Sequence, residues 1–161
     1  MSRSFAVAVG VVGLVLALAV PASPAGAAKT TDPCKTLKET EIAAAFGGAT
    51  VDAGKRSDPT QITPLCQWAV SPSANFPEGG VFVSFQTKGA KTGYTAAKKD
   101  PNNERVAGIK NALYSAEMHF VAVLKGNVLL SVQGEFLDDN LSNVDVKDQL
   151  VQLTKKAAPR V

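Results

Sequence analysis

The sequence predicts an α+β domain with a mainly antiparallel sheet, N-terminal, middle and C-terminal helices packed on one face, and one disulfide. Apolar runs joined by short turns indicate hairpin-linked strands. Helix-like runs stand before, between and after these strands, which favours a sheet covered by helices. The only two cysteines, Cys34 and Cys66, follow a secretory leader, and thiols in exported chains usually pair.

The first helix is predicted over residues 39–46. Acidic Glu39 and Glu41 suit its amino end, alanines suit its interior, and Gly47-Gly48 ends it. Ile42 and Phe46 are four residues apart and share a face that can point inward. Residues 54–64 are rich in Gly, Ser, Asp, Pro and Thr, which predicts a surface loop.

The strands and the remaining helices follow from periodicity. Val81, Val83 and Phe85 alternate with Phe82, Ser84 and Gln86, as expected for one buried face. Lys125-Gly126-Asn127 predicts a tight hairpin turn. Ser142 or Asn143 can cap a last helix that runs to about Lys156. Predicted strands are 66–70, 80–87, 112–116, 119–124 and 128–133, and a short helix is predicted over 93–99.

Residues 1–28 have the three parts of a signal peptide: Arg3, an uncharged apolar run from Phe5 to Val20, and small residues up to Ala28. An uncleaved membrane anchor is the alternative, but the apolar run is shorter than the roughly 20 residues that span a bilayer. Residues 29–161 then form a single domain with a short amino-terminal linker. The predicted location is extracellular or in the cell envelope, with no stable membrane insertion after cleavage.

The two cysteines have two interpretations. A redox pair would favour Cys-x-x-Cys spacing, which is absent. A structural bridge between Cys34 and Cys66 is therefore preferred, and it would stabilise the fold by about 3–4 kcal/mol through restriction of the unfolded chain. Trp68 next to Cys66 is interpreted as core packing rather than as a ligand platform.

Catalytic and metal chemistry have weak signals. His119, the single histidine, begins a predicted strand, and a Ser-His-Asp site needs further groups that converge on it. Acidic residues such as Asp138 and Asp139 lack the Gly and distal Glu of an EF-hand loop, so a solvated loop is preferred over a calcium site. No catalytic residue, metal ligand or cofactor is assigned.

Two segments are candidates for a binding surface. The formal charge of +3, which falls to about +2 without Arg3, is too mild to imply nucleic acid. A basic stretch could instead face an anionic envelope polymer or lipid, although an ordinary soluble surface is the simpler interpretation. In the turn-rich loop, Phe76 is either a contact residue or packed over the sheet edge. The candidate residues are Asn75, Phe76, Glu78, Lys88, Lys91, Lys98, Lys99 and Arg105.

Several segments resemble one family. Asp32-Pro33-Cys34 with the helix that follows, Cys66-Gln67-Trp68, and the run from Val106 to Tyr114 are similar to elements of an actinobacterial exported family, many members of which are lipoproteins. That family is a domain of unknown function (DUF 3558). The chain departs from it in lacking a lipobox, in Lys110 at a usual Gly, and in Lys38 at a usual Thr. The resemblance implies no activity and no catalytic residues.

The leading functional hypothesis is a secreted, non-catalytic module that binds an unknown ligand or protein of the envelope or extracellular space. Export, the expected bridge and the lack of a convergent catalytic set motivate it. The alternative is a small secreted hydrolase with a dispersed site around His119. A second polar group converging on His119 would distinguish the two.

Overall fold

The computed structural model describes residues 32–57, 63–137 and 144–161. The predicted leader and linker, the two proposed caps Ser142 and Asn143, and Asp138 and Asp139 lie outside these residues. The helices are α1 Glu39–Ala45, α2 Ala90–Lys99 and α3 Lys147–Ala157, with 3-10 turns at Pro33–Lys35 and Ala158–Arg160. The strands are β1 Lys55–Arg56, β2 Leu65–Val70, β3 Gly79–Gln86, β4 Asn103–Arg105, β5 Ala112–Ser115, β6 Phe120–Lys125 and β7 Val128–Phe136.

Within the described residues, seven strands form one antiparallel sheet in the order β1-β2-β3-β7-β6-β5-β4. The predicted α+β fold class is confirmed. Strands β6 and β7 meet in a hairpin in which Lys125 pairs with Val128. The turn is therefore Gly126-Asn127, and Gly126 takes the positive φ of 61° that such short turns favour.

The main core lies between the sheet and the helices α1 and α3. Phe46, at the end of α1, stacks on Phe136 of β7 with ring centroids 4.5 Å apart. From α3, Leu150 and Leu153 are fully or almost fully buried in the same cluster, which confirms the predicted inward face of that helix. Trp68 is fully buried, as predicted.

Helix α2 lies on the other face of the sheet. A Cβ built on Gly93 would lie 3.8 Å from Leu129 Cδ2, and Leu129 alternates along β7 with the core residue Leu130. On the face of Leu129, Leu113 and Ala122 pair across β5 and β6 and are buried outside the main cluster. The expected position of the middle helix, on the same face as the other two, is wrong because β5 and β6 carry apolar residues on both faces, and both faces need a cover.

Two short strands had no signal in the sequence. Strand β1 lies within the predicted loop 54–64, and β4 follows α2 where no element was expected. Both are edge strands of two or three polar or charged residues. Backbone pairing with β2 and β5 creates them, and such pairing leaves no apolar alternation to detect.

The predicted disulfide between Cys34 and Cys66 is present. It ties the 3-10 turn ahead of α1 to strand β2. In that turn the Asp32 carboxylate accepts a hydrogen bond from the Cys34 N–H at 3.0 Å, so the Asp-Pro-Cys segment is ordered by its own side chain. Across the ranges that the structure describes, no helix combines the length and apolar character needed to cross a membrane.

Candidate functional site: a basic groove at one end of the sheet

Two adjoining depressions lie at the end of the sheet that carries the β6–β7 hairpin. The first, of about 480 Å³, lies between the loop 106–111, the hairpin and the end of α3. The second, of about 430 Å³, lies between the same loop and α2. Both are lined by Ile109, Lys110 and Asn111, so they adjoin on the two sides of this loop, and their linings together make one surface. We call this surface the basic groove.

The loop 106–111 that divides the groove is held at both ends. Val106 is buried, and its N–H donates to the Ala112 carbonyl at 3.2 Å. At the other end, the Asn111 carbonyl accepts from the Leu124 N–H at 3.0 Å. Asn111 has a φ of 55°, a conformation that asparagine tolerates better than most residues. The loop is therefore a fixed wall on which Ile109 and Lys110 are presented.

The groove is cationic. Its lining includes the charged residues Lys98, Arg105, Lys110, Lys125 and Lys155. Among the described residues that line it, none is Asp or Glu. In the described part of the chain, the ion pairs within 4.0 Å involve Arg56, Lys147 and Arg160 instead. None of these five cations therefore forms an ion pair with a carboxylate of the described residues.

Lysine 125 has a second role. Its Nζ donates to the carbonyls of Ala158 at 2.8 Å and Pro159 at 3.4 Å. Ala158 and Pro159 belong to the 3-10 turn that directly follows α3. Carbonyl groups at the carboxyl end of a helix lack intrahelical partners and attract cations. Lys125 thereby fixes the far wall of the groove and retains one of its three N–H donors for a ligand.

The predicted surface residues are separated by this geometry. Lys98 and Arg105 come together at the groove. Lys91 and Lys99 lie instead along the solvent side of α2, beside Thr92, Thr95 and Ala96. Lys88 lies before α2, and its carbonyl accepts from the Gln86 side chain. The predicted basic stretch is thus two different surfaces, because residues four apart on a helix share a face and neighbours do not.

The turn-rich loop 71–78 lies at the opposite end of the strands, where Gly79 pairs with Phe136. Asn75 and Glu78 are exposed there. Phe76 is half-buried, and its ring meets Phe46 edge-on with centroids 5.2 Å apart. Of the two interpretations of Phe76, the structure places it over the core. The loop and the basic groove do not form one site.

His119 does not begin a strand. It is the last residue of the turn 116–119, with a φ of 46°, and Phe120 starts β6. The chain reverses within four residues between Ser115 and Phe120, which pair, and the left-handed conformation at His119 completes that reversal. Its Nδ1 is buried and has no hydrogen-bond partner among the described residues. A triad-type hydrolytic site needs a group that orients the imidazole ring, and no described residue forms a hydrogen bond with Nδ1.

A further depression of about 450 Å³ surrounds His119. It carries Met118 and Leu137, which are 55% and 46% exposed.

The sequence analysis missed two lysines that line the basic groove, Lys125 and Lys155. Lys125 lies in a hairpin and Lys155 in the last turn of a helix, so neither belongs to the basic stretch in the sequence.

No family model, no curated protein and no solved structure matches this chain.

Proposed function

We propose that the protein is a secreted, non-catalytic binding module of the cell envelope or extracellular space that holds an anionic ligand in the basic groove. The observation that carries this proposal is the meeting of five cationic side chains on one surface whose described lining has no carboxylate. Binding of an anion would replace the repulsion among these cations by attraction, and half-buried Ile109 supplies apolar contact.

The proposed location rests on two features. The disulfide between Cys34 and Cys66 is typical of an oxidising compartment, and residues 1–28 have the pattern of a cleaved leader. Sequencing the amino terminus of material from a secreting host tests the leader. A first residue near Lys29 is expected, and a retained Met1 would contradict cleavage.

Membership of the exported family of unknown function, DUF 3558-like, is also a proposal. Its support is that the two cysteine elements that carry the resemblance, around Cys34 and around Cys66, are the two ends of the disulfide. The third element, from Val106 to Tyr114, forms the loop of the groove and strand β5. Lys110, which departs from the family pattern, lies at the centre of the groove.

Calorimetric titration with sodium polyphosphate, used as a probe anion, tests the groove. The variant Lys98→Gln/Arg105→Gln/Lys110→Gln should bind roughly 3- to 150-fold more weakly at low salt, since three exposed charges at roughly 0.2–1 kcal/mol each sum to about 0.6–3 kcal/mol. The matched control is Lys88→Gln/Lys91→Gln/Lys99→Gln, which removes the same charge from the same region outside the groove.

The control should bind nearly as wild type. Equal weakening of both variants would mean that polyphosphate responds only to net charge, and the groove would lose its role. Raising the salt to 0.15 M shortens the screening length to about 8 Å and should weaken wild-type binding more than binding by the groove variant.

A further inference from the structure

The first depression of the groove has an apolar wall that is partly exposed to solvent in the folded protein. Ile109, Leu124 and Ala158 are half-buried, Pro159 is exposed, and Val123 closes the bottom. The volume of about 480 Å³ is that of a small-molecule site.

This wall is formed before any ligand arrives. Lys125 holds the carbonyls of Ala158 and Pro159, and the next residue, Arg160, is bound by Glu41 of α1 through two contacts of 2.7 Å. The opposite wall is held by the hydrogen bond from Leu124 to Asn111. A preformed site costs little ordering on binding, so apolar contact there converts efficiently into affinity.

The rim of the same depression is positive. Lys110, Lys125 and Lys155 line it, and none of its described lining residues is acidic. Lys110 and Lys155 are exposed, and neither belongs to an ion pair in the described part of the chain. An apolar wall under a cationic rim complements a molecule with an alkyl chain and one anionic end group.

A bilayer surface fits the rim less well than a free molecule does. Insertion into a membrane uses large apolar side chains that project into the lipid. The two large apolar side chains that are exposed in the described chain, Met118 and Leu137, belong to the depression around His119 and not to this rim. At this depression the exposed side chains are those of Lys110, Lys125, Lys155, Asn111 and Pro159, and none of them is a large apolar side chain.

We propose that the depression formed by Ile109, Leu124, Ala158 and Pro159 binds a free, single-chain anionic amphiphile of the fatty-acid type. The alkyl chain lies on the apolar wall, and the carboxylate accepts hydrogen bonds from the ammonium groups of Lys110, Lys125 and Lys155. This inference rests on the proposed function, since it names the class of anion that the basic groove holds.

Chain length is the decisive variable in the test. Decanoate should bind the mature protein on the order of 50-fold or more tightly than butyrate, since its six additional methylenes leave water at least in part. Decyl maltoside, which has an alkyl chain only one carbon longer and a neutral head group, should bind at least about tenfold more weakly than decanoate. Calorimetry or displacement of a fluorescent fatty acid measures all three.

Two variants separate the chain from the head group. Ile109→Asn should remove most of the preference for decanoate over butyrate, and Leu137→Asn is its control because it changes an exposed apolar residue outside the groove. Lys110→Gln/Lys155→Gln should weaken decanoate about tenfold at low salt and keep the chain-length preference. A thermal melt of each variant verifies that it folds.

Each contrary outcome is specific. Equal affinity for decanoate and butyrate, with polyphosphate still bound at the groove, would overturn the amphiphile and leave the proposed function. Equal affinity for decanoate and decyl maltoside would overturn the anionic head group. Binding to phosphatidylglycerol vesicles without binding to decanoate would make the groove a membrane contact and overturn the inference. Failure of the wild-type protein to bind either polyphosphate or decanoate would overturn both proposals.

Discussion

Arg160, the residue before the last of the sequence, forms a two-armed ion pair with Glu41 in the first turn of α1. Each of two guanidinium nitrogens lies 2.7 Å from a different carboxylate oxygen, and Nη1 also donates to the Thr36 carbonyl at 2.7 Å. Glu41 in turn accepts from the Lys38 N–H at 3.0 Å. One carboxylate thus joins the start of α1 to the last 3-10 turn, which carries Ala158 and Pro159 of the groove.

The first prediction concerns this pair and pH. The hydrogen bond from Arg160 lowers the pKa of Glu41 below its ordinary value of 4.5. A lowered carboxylate pKa stabilises the fold above pH 4.5, and that stability is lost as the pH falls through the folded-state value. Glu41→Gln should cost about 1–3 kcal/mol at pH 7, as for hydrogen bonds to charged groups.

Urea unfolding at pH 7 and at pH 3 measures this effect. The free energy of unfolding of Glu41→Gln should be clearly lower than that of wild type at pH 7, and the difference should be much smaller at pH 3. Glu39→Gln, an exposed carboxylate in the same turn, is the control and should lie close to wild type at both. A Glu41→Gln deficit of the same size at both pH values would show that its charge is not responsible.

The second prediction concerns the alkaline range. Burial raises the pKa of Tyr114 to about 12 from 10.0, and the nearby Asp145 carboxylate adds to the shift. An unfolded tyrosine ionises near pH 10, so stability that is present below pH 10 should be lost as the pH rises towards 12. Tyr114→Phe removes this titration and should flatten the decline in the unfolding midpoint above pH 10.

Tyr94→Phe is the matched control, since it removes the other of the two tyrosines of the chain. Because Tyr114 remains, this variant should keep the wild-type alkaline decline. A decline in Tyr114→Phe as steep as that of the wild type would show that another group governs the alkaline limit.

The third prediction compares two glycines. A Cβ on Gly54 would lie 2.7 Å from two atoms of the Trp68 ring and 2.9 Å from Cys66 Sγ, whereas a Cβ on Gly93 would meet nothing closer than 3.8 Å. Gly54→Ala should therefore destabilise the fold by about 1–3 kcal/mol through overpacking. Gly93→Ala, inside helix α2, should stabilise it by about 0.5–1 kcal/mol.

Thermal and urea unfolding of the two variants supply the measurement. Each variant adds the same methyl group. A loss of stability in Gly54→Ala and a gain in Gly93→Ala would therefore distinguish the effect of close packing from that of helix propensity. A Gly54→Ala variant as stable as wild type would mean that the segment before β1 can move away from Trp68 at no cost.

The fourth prediction settles the role of Phe76. Its ring lies against Phe46 and belongs to the partly buried shell of the core. Phe76→Ala should cost about 1–3 kcal/mol, less than a fully buried phenylalanine, and should leave polyphosphate and decanoate binding unchanged. Asn75→Ala, its exposed neighbour, should change neither property. If Phe76→Ala kept wild-type stability but bound polyphosphate or decanoate more weakly, Phe76 would be a ligand-contact residue rather than a core residue.

Local patterns in the chain were sufficient for much of the fold. Ile42 and Phe46 predicted the buried face of α1, the alternation from Val81 to Phe85 predicted β3, and Lys125-Gly126-Asn127 predicted the hairpin. These signals are local, because burial periodicity and turn geometry act over a few residues. The disulfide could be predicted from the number of cysteines and from the leader-like pattern of residues 1–28, without knowledge of the distance between the two cysteines.

The basic groove had no such local signal. Lys98, Lys125 and Lys155 are far apart in sequence, and their meeting depends on how β4 to β7 are ordered in the sheet and on α2 crossing to its other face. Lys91 and Lys99 show the converse, since they are close to Lys98 in sequence and point to a different surface. Lys98 points in a different direction around the axis of α2 from Lys91 and Lys99. The position of α2 on the sheet then determines which side of the helix meets the groove.

By itself the sequence determined the α+β class, the paired cysteines and the buried faces of α1, β3 and α3, because each depends on residue type and short-range spacing. Only the tertiary structure decided that α2 covers the second face, that edge strands form at Lys55–Arg56 and Asn103–Arg105, and that Phe76 packs inward while Lys110, Lys125 and Lys155 share a rim. These features depend on contacts between residues distant in the chain, and the free energy of such contacts belongs to the pair rather than to either residue.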